Sequence, residues 1–491
     1  MQSDGRAAGL LVAGTSSDAG KSLVVTGLCR LLARRGVSVA PFKAQNMSNN
    51  SMVCVDGAEI GRAQYLQAQA AAVEATSAMN PVLLKPGSDR RAHVVVRGRP
   101  AGSLEAGEYA TGRTQLAEAA YAAYQELAGR FEMIVCEGAG SPAEINLREG
   151  DYVNAGLARR FGLPMVVVGD IDRGGVFAAL YGTYALLEEA DQKLITCFVI
   201  NKFRGDLGVL APGLDELTRR TGIPVAGVLP WLEGIWLDGE DTLEVGGWGR
   251  PGRHSSPTDL TVAVVRLPRV SNLTDVDALA AEPGVDVRVT VDPGLLADAD
   301  LVVLPGSRST VADLAWLGDQ GLDRVLLDRA RRGGAILGIC GGYQMLGATI
   351  WDEMESGYGQ SRGLGLLPIE VNFQVDKQLG RPRADWHGHQ VDAYEIHHGV
   401  ARPKGKAEPF LDGCRVGPVW GTMWHGTLEN DGFRRAWLTE IAGSVGSAWR
   451  PHSDAPAYAA RRETMINTLA DALETHLDLD LLLAGTRLGR P

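Results

Sequence analysis

The chain has 491 residues, of which 45% are hydrophobic and 22% charged, and its formal net charge at pH 7 is −11. This length allows more than one domain with a sizeable core, and the composition is ordinary for a globular protein. The negative balance argues against a general binder of nucleic acid or of anionic membranes. No apolar run approaches the length of a membrane span, and the residues before Gly14 lack a signal-peptide pattern, so we expect a cytoplasmic protein.

The cysteines show neither a disulfide framework nor a structural zinc site. They are scattered along the chain, as Cys29, Cys54, Cys136, Cys197, Cys340 and Cys414. No two of them have the C-x-x-C spacing that zinc sites and redox motifs use. A special role for any cysteine must therefore be argued from its own surroundings.

In the first half of the chain, short β-rich runs alternate with helical patterns. Strands are predicted at residues 10–13, 37–42, 133–136, 165–168, 196–200 and 225–229. An apolar stripe from Leu23 to Leu32 predicts a helix with Gly36 at its C-terminal end, and residues 117–128 predict another helix. This alternation is typical of a mostly parallel α/β sheet.

A second α/β pattern follows residues 246–259, which are rich in glycine, proline and serine and are predicted to be a linker. Its strands are expected at residues 261–266, 301–304 and 335–339, and residues 457–483 predict one or two helices. We therefore predict two α/β domains, each a mostly parallel sheet flanked by helices. They comprise residues 1–245 and residues 260–491, the second with a C-terminal helical tail.

The sequence GTSSDAGKS, from Gly14 to Ser22, lies between a predicted strand and a predicted helix. A glycine-rich loop in this position holds phosphates with its backbone N–H groups, here those around Gly14, Thr15 and Gly20. Lys21 would reach the outer phosphates of ATP, and the Ser22 hydroxyl would bind Mg²⁺. Five residues, rather than the usual four, separate the two glycines. This spacing resembles the phosphate loop of dethiobiotin synthetases, which activate a carboxylate with ATP.

Polar side chains end three other predicted strands of the first half. Glu137 is the expected second Mg²⁺ ligand, since a carboxylate at the carboxyl edge of the sheet faces the phosphate loop. An ordinary solvated glutamate is the alternative. Asp170 and Asp172 are further candidates. Asn201 resembles the base-reading position of related nucleotide-binding folds, with helix capping as the competing explanation.

Cys340 follows the short apolar run 335–339 and precedes Gly341 and Gly342. A residue on a tight turn between a buried strand and a helix has the geometry of a nucleophile elbow. Small neighbours let the turn close and let substrate approach. Free cysteines are often merely buried, but the flanking glycines favour a nucleophile that forms a thioester.

Longer stretches resemble the cobyric acid synthase family. They are FKAQNMSNNS (42–51), EIGRAQ (59–64), EGAGSPAEINL (137–147), GDIDRGGVF (169–177) and NKFRGD (201–206). The resemblance runs in order along nearly the whole chain. It implies an amidation in cobalamin biosynthesis, in which four peripheral carboxylates (b, d, e and g) of adenosylcobyrinic acid a,c-diamide become primary amides. Each cycle would use one glutamine and one ATP, through an acyl phosphate and ammonia.

The resemblance also assigns roles to single residues. Lys43 would hold phosphate or carboxylate, by analogy with a lysine of the dethiobiotin synthetases. Those enzymes have a Mg²⁺-binding aspartate after that lysine, whereas this chain has no carboxylate before Asp56. A further Mg²⁺ ligand is therefore open, and Asp56 and Glu59 are the nearest carboxylates.

In the second half, the resemblance is to class I glutamine amidotransferase domains. Gly306 and Gly341 would supply the N–H groups of an oxyanion hole. Such domains pair the cysteine with a histidine near the C-terminus, and His425, in GTMWHGT, is the expected base. Thr427 stands where many of these domains have a glutamate that orients the histidine. What orients His425 is therefore left open.

Other interpretations remain at this stage. A cobyrinic acid a,c-diamide synthase would amidate two other carboxylates, a P-loop ATP switch protein would have no amidation activity, and a peptidoglycan amidotransferase shares the cysteine elbow. The histidines at 387, 389, 397 and 398 cluster in sequence without a recognised zinc spacing. Packing, or contact with substrate glutamine, is the favoured interpretation of that cluster.

Overall fold

The computed structural model describes residues 9–87, 91–105, 109–235 and 259–489. The predicted linker at 246–259 lies outside these residues, apart from Asp259. Within them, the two predicted α/β patterns form two sheets flanked by helices, which confirms the predicted fold class.

Strands and helices alternate through much of the chain before residue 235. The strands are β1 (Gly9–Gly14), β2 (Val39–Phe42), β3 (Gln45–Met47), β4 (Ser51–Val53), β5 (Glu59–Gly61), β6 (Val82–Pro86), β7 (Arg91–Val96), β8 (Arg99–Glu105), β9 (Met133–Glu137), β10 (Met165–Asp170), β11 (Ile195–Phe203) and β12 (Val225–Pro230). The helices are α1 (Lys21–Arg34), α2 (Arg62–Ala70), α3 (Tyr109–Ala128), α4 (Ala155–Phe161), α5 (Val176–Leu186), α6 (Glu189–Gln192) and α7 (Leu207–Thr221).

The first sheet has the order β12-β11-β10-β1-β9-β2, and every neighbouring pair is parallel. Its central strand β1 is buried along its whole length, because helices cover both faces of the sheet. The carboxyl ends of β1, β9 and β11 therefore lie along one edge, where Gly14, Glu137 and Asn201 stand. Sites of open α/β sheets form at this edge.

A smaller, largely antiparallel layer is inserted between β2 and α3. It contains a four-stranded sheet of order β3-β6-β7-β8 and a hairpin of β4 and β5. The sequence patterns do not predict these strands. Several are only three residues long and carry polar side chains, so they lack the apolar runs that indicate buried strands.

The chain after residue 259 is richer in strands. They are β13 (Leu260–Val265), β14 (Val270–Ser271), β15 (Val285–Thr290), β16 (Leu301–Leu304), β17 (Gly306–Ser307), β18 (Ala335–Ile339), β19 (Thr349–Asp352), β20 (Gly359–Arg362), β21 (Ile369–Gly380), β22 (Arg383–Trp386), β23 (His389–Asp392), β24 (Glu395–Pro403), β25 (Glu408–Phe410), β26 (Gly413–Val416) and β27 (Val419–Thr422). The helices are α8 (Asp277–Ala281), α9 (Pro293–Asp298), α10 (Thr310–Asp319), α11 (Leu322–Arg331), α12 (Gly341–Leu346), α13 (Asp431–Val445), α14 (Tyr458–His476) and α15 (Leu479–Leu482).

The second sheet has the order β15-β13-β16-β18-β27-β26-β25. It is parallel from β15 to β27, and β26 and β25 extend it in antiparallel fashion. A side sheet of order β20-β19-β21-β24 lies beside it. Cys340 follows the central strand β18, and His425 follows its neighbour β27.

The C-terminal helix α14 follows the second domain in sequence but packs against the first. Ile466 and Leu473 share a hydrophobic cluster with β1 and α1 residues such as Leu10 and Leu28. At Gly27 the helices are so close that a Cβ there would lie 2.9 Å from Leu473. The tail thus completes the helical layer of the first sheet, while the predicted boundaries at 245 and 260 stay a prediction.

No helix in the described part of the chain combines the length and apolar character that a membrane crossing needs.

Candidate active sites

The predicted phosphate loop connects β1 to α1. Gly20 has φ +107°, and a side chain at this position would overlap the amide of Asn201. Nδ2 of Asn201 donates to the carbonyl of Ala19 at 3.1 Å, and the N–H of Thr15 donates to Val168 at 2.9 Å. Asn201 therefore braces the loop from the neighbouring strand β11.

Lys21 is 2% exposed and begins α1. Its ammonium curls back over the loop and donates to the carbonyl of Ser16 at 3.0 Å. A Cβ at Gly14 would lie 3.0 Å from the Lys21 side chain, so glycine gives that side chain its room. The loop, its lysine and the N-terminus of the 14-residue helix α1 together form a site suited to phosphate.

The carboxylate of Glu137 is the centre of a buried cluster beside this loop. Its Oε1 accepts from the Ser22 hydroxyl at 2.8 Å and from Nζ of Lys43 at 2.9 Å, and its Oε2 accepts from Gln67 at 2.5 Å. Burial opposes its ionisation, but Lys43, Gln67 and Lys21 hold the pKa of Glu137 below its ordinary value. It is therefore an anion at neutral pH.

The residues at this cluster fit a magnesium ion. A hydroxyl and a carboxylate stand side by side at the phosphate loop, and oxygen atoms of this kind are the ligands that Mg²⁺ takes. Glu59 is engaged elsewhere, in contacts with Lys85 and Lys377. Asp170 pairs with Lys202 at 2.8 Å.

A cavity of about 390 Å³ opens next to the phosphate loop. Ser17 and Lys43 line it on the side of the loop, and Met47, Leu147 and Tyr152 line other parts of its wall. Substrate that entered here would meet the side of the loop where phosphate is expected to lie.

Cys340 occupies a strained turn between β18 and α12. Its φ of 49° and ψ of −107° lie outside the regions that residues with side chains favour. A Cβ at Gly341 would come within 2.7 Å of the Ser307 N–H nitrogen, and one at Gly342 would overlap the carbonyl of Leu304. The turn is therefore possible only with glycines after the cysteine, as in a nucleophile elbow.

His425 is buried and held on three sides. Its Nδ1 lies 2.6 Å from Oδ2 of Asp275, and the ring stacks on Tyr394 with centroids 5.3 Å apart. The Cys340 side chain lies close enough to the ring to influence its protonation. Burial would lower the pKa of His425, but Asp275 and Cys340 together raise it to about 10.

Asp275 is the site residue that sequence reasoning missed. It lies in a short 3-10 turn, Leu273–Val276, and its second oxygen accepts from the N–H of Gly426 at 2.8 Å. It thus orients His425 from 150 residues earlier in the chain. No motif surrounds it, and the one signal was indirect: Thr427, in place of the usual glutamate, implied that another acid was needed.

The glycine loop after β16 reaches the same place. A Cβ at Gly306 would lie 3.2 Å from Cε1 of His425, so this loop passes close beside the imidazole. Asp313 accepts a 2.6 Å hydrogen bond from Ser307 and steadies the loop. Burial raises the pKa of Asp313 to about 6 in spite of that bond. The structure thus brings Cys340, His425, Gly306 and Gly341 together, and their catalytic roles stay a prediction.

The clustered histidines make separate contacts. Nδ1 of His398 meets the carbonyl of Gln374 at 3.1 Å, and His397 meets Glu395 at 3.3 Å. Within the described ranges, no group of three or more His, Cys, Asp or Glu side chains is arranged to hold a metal ion.

Buried hydrogen bonds connect the first domain to the turn that carries Asp275. The N–H of Ser51 donates to Oδ1 of Asn272 at 2.8 Å, and the N–H of Leu273 donates to Oδ1 of Asn50 at 3.3 Å. Asn50 and Ser51 thereby contact the turn that carries Asp275.

Five buried amide side chains of the first domain form what we call the amide cluster. Asn46, Gln64 and Asn80 lie around Gly61, Gln67 donates to Glu137, and Asn49 is the fifth member. Asn46 donates to Gln64 at 3.0 Å, and Asn80 accepts from the N–H of Gly61 at 2.9 Å. Oδ1 of Asn46, Oδ1 of Asn49, Nε2 of Gln64 and Oε1 of Gln67 are buried without a hydrogen-bond partner among the described residues.

Buried charges join the two domains beside this cluster. Glu59 contacts Lys85 of the first domain and Lys377 of the second, the latter at 2.5 Å. Burial opposes the charge of Glu59, yet the two lysines bring its pKa well below the ordinary value. Burial lowers the pKa of Lys85 to about 7, although Glu59 counters this shift.

Comparison with known proteins covers nearly the whole chain. Residues 10–243 match the family of CobQ/CobB/MinD/ParA nucleotide binding domains, and residues 261–433 match the CobB/CobQ-like glutamine amidotransferase domain. A cobyric acid synthase of Cutibacterium acnes is 64% identical over 97% of this chain and 99% of its own length. One from Mycolicibacterium vanbaalenii is 58% identical over 97% of this chain and 96% of its own.

Among solved structures, one described as a glutamine amidotransferase covers 37% of this chain and 98% of its own length. Its sequence identity is 19% and the TM-score is 0.31, which is too low to carry an argument.

Proposed function

This chain belongs to the cobyric acid synthase family, and on that premise we propose that it amidates the b, d, e and g carboxylates of adenosylcobyrinic acid a,c-diamide to give adenosylcobyric acid. It is a glutamine-hydrolysing amidoligase that uses ATP, with glutamine and a corrinoid as substrates.

The first step is activation of a carboxylate. A corrinoid carboxylate oxygen attacks the γ-phosphorus of ATP, an acyl phosphate forms, and ADP leaves. The N–H groups of the loop around Gly20, together with Lys21, would hold the phosphates, while Ser22 and Glu137 would hold Mg²⁺. Bound there, the ion supplies charge compensation for the transferred phosphoryl group. Lys43, which contacts Glu137, lines the adjoining cavity and would meet the incoming carboxylate.

The second step releases ammonia from glutamine. Sγ of Cys340 attacks the side-chain carbonyl carbon of glutamine, and N–H groups around Gly306 and Gly341 would stabilise the oxyanion. His425 takes the thiol proton and passes it to the leaving ammonia. A water molecule then hydrolyses the thioester to glutamate. Asp275 would stabilise the imidazolium that this step forms.

The third step joins the two halves. Ammonia attacks the acyl phosphate carbon, phosphate leaves, and one proton is lost. Ammonia must reach the acyl phosphate unprotonated. Ser51 contacts Asn272 beside the Asp275 turn, and Gln67 of the amide cluster contacts Glu137. The cluster's unpaired oxygens on Asn46, Asn49 and Gln67 are acceptors for the N–H bonds of ammonia. This supports a buried path between the sites.

The observation that carries the proposal is that the Cys340–His425–Asp275 arrangement and the Glu137 cluster are joined by buried contacts in one chain. The test is to incubate the protein with MgATP, glutamine and the diamide corrinoid, and to count added amides by mass. Four added amides are expected. A smaller number would contradict amidation of all four carboxylates, and none with a competent corrinoid would reject the proposed reaction.

Two variants distinguish the release of ammonia from glutamine from the ATP-dependent amidation. Cys340→Ala should lose glutamine-dependent amidation and keep activity with free ammonia. Lys21→Ala should lose amidation with either nitrogen source. If Cys340→Ala lost both activities while remaining folded, the proposed division of labour would be wrong.

A further inference from the structure

The cavity beside the phosphate loop has an apolar rim. Met47, Ile145 and Leu147 have exposed side-chain fractions of 48%, 57% and 40%. Met47 and Leu147 line the cavity, and Ile145 stands in the same 3-10 turn as Leu147. Single exposed apolar residues are common on proteins, but several gathered at a cavity that also has charged side chains in its lining indicate a binding surface.

The turn that presents these side chains is anchored from behind. Nη1 of Arg113 donates to the carbonyls of Leu147 and Glu149 at 3.1 and 3.0 Å. Arg148, between them, pairs with the buried Asp191 at 2.9 Å and with Glu188. Arg113 and Arg148 thus support the turn on which Ile145 and Leu147 are exposed.

The lining of the cavity also carries charges of both signs. Lys43, Arg113 and Arg148 line it together with Glu144 and Asp151. Each of the three cations already has a partner within the chain, so an entering carboxylate would share them. The three cations attract a carboxylate electrostatically. They have little means to recognise the part of the substrate to which that carboxylate is attached.

We propose that this cavity takes one free carboxylate arm of the corrinoid at a time, while the methyl-bearing edge of the macrocycle rests on Met47, Ile145 and Leu147. This inference rests on the proposed function. The volume of about 390 Å³ suits a side arm, whereas the ring needs the open mouth. Conversion of the arm to an amide removes its charge, so its attraction to Lys43 is lost and another arm can take its place.

The test uses the double variant Ile145→Ser/Leu147→Ser. Val209→Ser is the matched control, because Val209 is 83% exposed and lies on α7, away from the cavity lining. Binding of the diamide corrinoid without ATP is measured by equilibrium dialysis, followed by its visible absorbance. We expect the double variant to bind at least about tenfold more weakly, since apolar contact area is lost. The control should bind as the original protein does.

The amidated product separates the rim from the charged wall. The double variant should weaken product and substrate binding by a similar factor, because the rim contacts the ring. Added salt should weaken substrate binding more than product binding, because only the substrate carries the four carboxylates. Thermal melts check that all variants are folded.

The outcomes are distinguishable. If the unchanged protein adds amides and the double variant binds corrinoid as well as Val209→Ser does, the rim proposal is overturned and the proposed function stands. If the unchanged protein neither binds nor amidates the corrinoid, both fail.

Discussion

The carboxylate of Asp275 lies 2.6 Å from Nδ1 of His425, although 150 residues separate the two in the chain. The same carboxylate accepts from the N–H of Gly426 at 2.8 Å, so it holds both the ring and the backbone beside it. Asp275 is also one turn away from Asn272, which contacts Ser51 of the other domain. The acid that orients the histidine thus belongs to the segment where the two domains meet.

Asp275→Asn should reduce glutamine hydrolysis by about 10²- to 10⁴-fold, because an amide neither stabilises the imidazolium nor reliably fixes its tautomer. Amidation with free ammonia should persist. Glutamate release and ammonia-dependent amidation are the two measurements. A shift in the pH profile of glutamine hydrolysis is also expected, which simple loss of structure would not produce.

Asp286→Asn is the control, because Asp286 pairs with Arg288 near the surface of the second domain. It should hydrolyse glutamine at the original rate. If Asp275→Asn and Asp286→Asn hydrolysed glutamine at the same rate, Asp275 would have no role in glutamine hydrolysis.

The raised pKa of His425 predicts a pH dependence of stability. Its pKa is about 10 in the folded chain, against an ordinary value near 6.5. The protonated ring therefore stabilises the fold fully below about pH 6.5, and this contribution is lost as the pH rises through about 10.

His425→Gln removes this contribution, so the comparison isolates it from other titrating groups. Urea denaturation between pH 6 and 10 is the measurement. The difference in free energy of unfolding between the original protein and His425→Gln should shrink as the pH rises. A difference that stays constant over that range would contradict the raised pKa.

Gly61→Ala tests the amide cluster as a path for ammonia. Gly61 has φ −60°, so alanine is compatible with the backbone, but its Cβ would overlap Asn46 and lie 2.6 Å from Oε1 of Gln64. We expect glutamine hydrolysis to continue while fewer amides form per glutamine consumed. Amidation with free ammonia should fall less than amidation with glutamine.

Gly182→Ala is the matched control, because nothing lies within 4 Å of a Cβ at that helical position. It should keep the original ratio of amide formed to glutamine consumed. If Gly61→Ala kept that ratio too, ammonia would have to travel by another route.

Glu59→Gln should destabilise the chain by about 3–5 kcal/mol, because it leaves Lys85 and Lys377 buried beside a neutral group. The free energy of unfolding from chemical denaturation measures this effect. Glu370→Gln breaks an exposed pair with Lys404 and should change stability by less than about 1 kcal/mol. A similar, small effect of both changes would mean that the buried charges contribute little.

Much of the two parallel sheets could be predicted because their strands are short apolar runs bounded by turns. Strands β16 and β18 have the predicted bounds, Leu301–Leu304 and Ala335–Ile339. Strand β11 extends to Phe203, three residues beyond the predicted end. The prediction stopped early because the residues that follow the apolar run are mostly polar. Helix α3 begins at Tyr109, eight residues before the predicted start.

The inserted layer and the side sheet were missed for a related reason. Strand β3 is Gln45–Met47, whose polar side chains are buried by neighbouring amides rather than by an apolar core. Strand β21 has mostly half-buried or exposed residues, so its alternation is weak. Patterns of hydrophobicity do not reveal strands whose burial depends on partners far along the chain.

The phosphate loop and the Cys340 turn could be predicted because both depend on residues that are adjacent in the sequence. Gly20 and Gly341 are required by conformations and contacts that a side chain would exclude, and such requirements leave glycines at readable positions. Asp275, the amide cluster and the docking of α14 on the first sheet have no comparable signature. Each depends on a contact between segments far apart in the chain, which exists only once the domains have packed together.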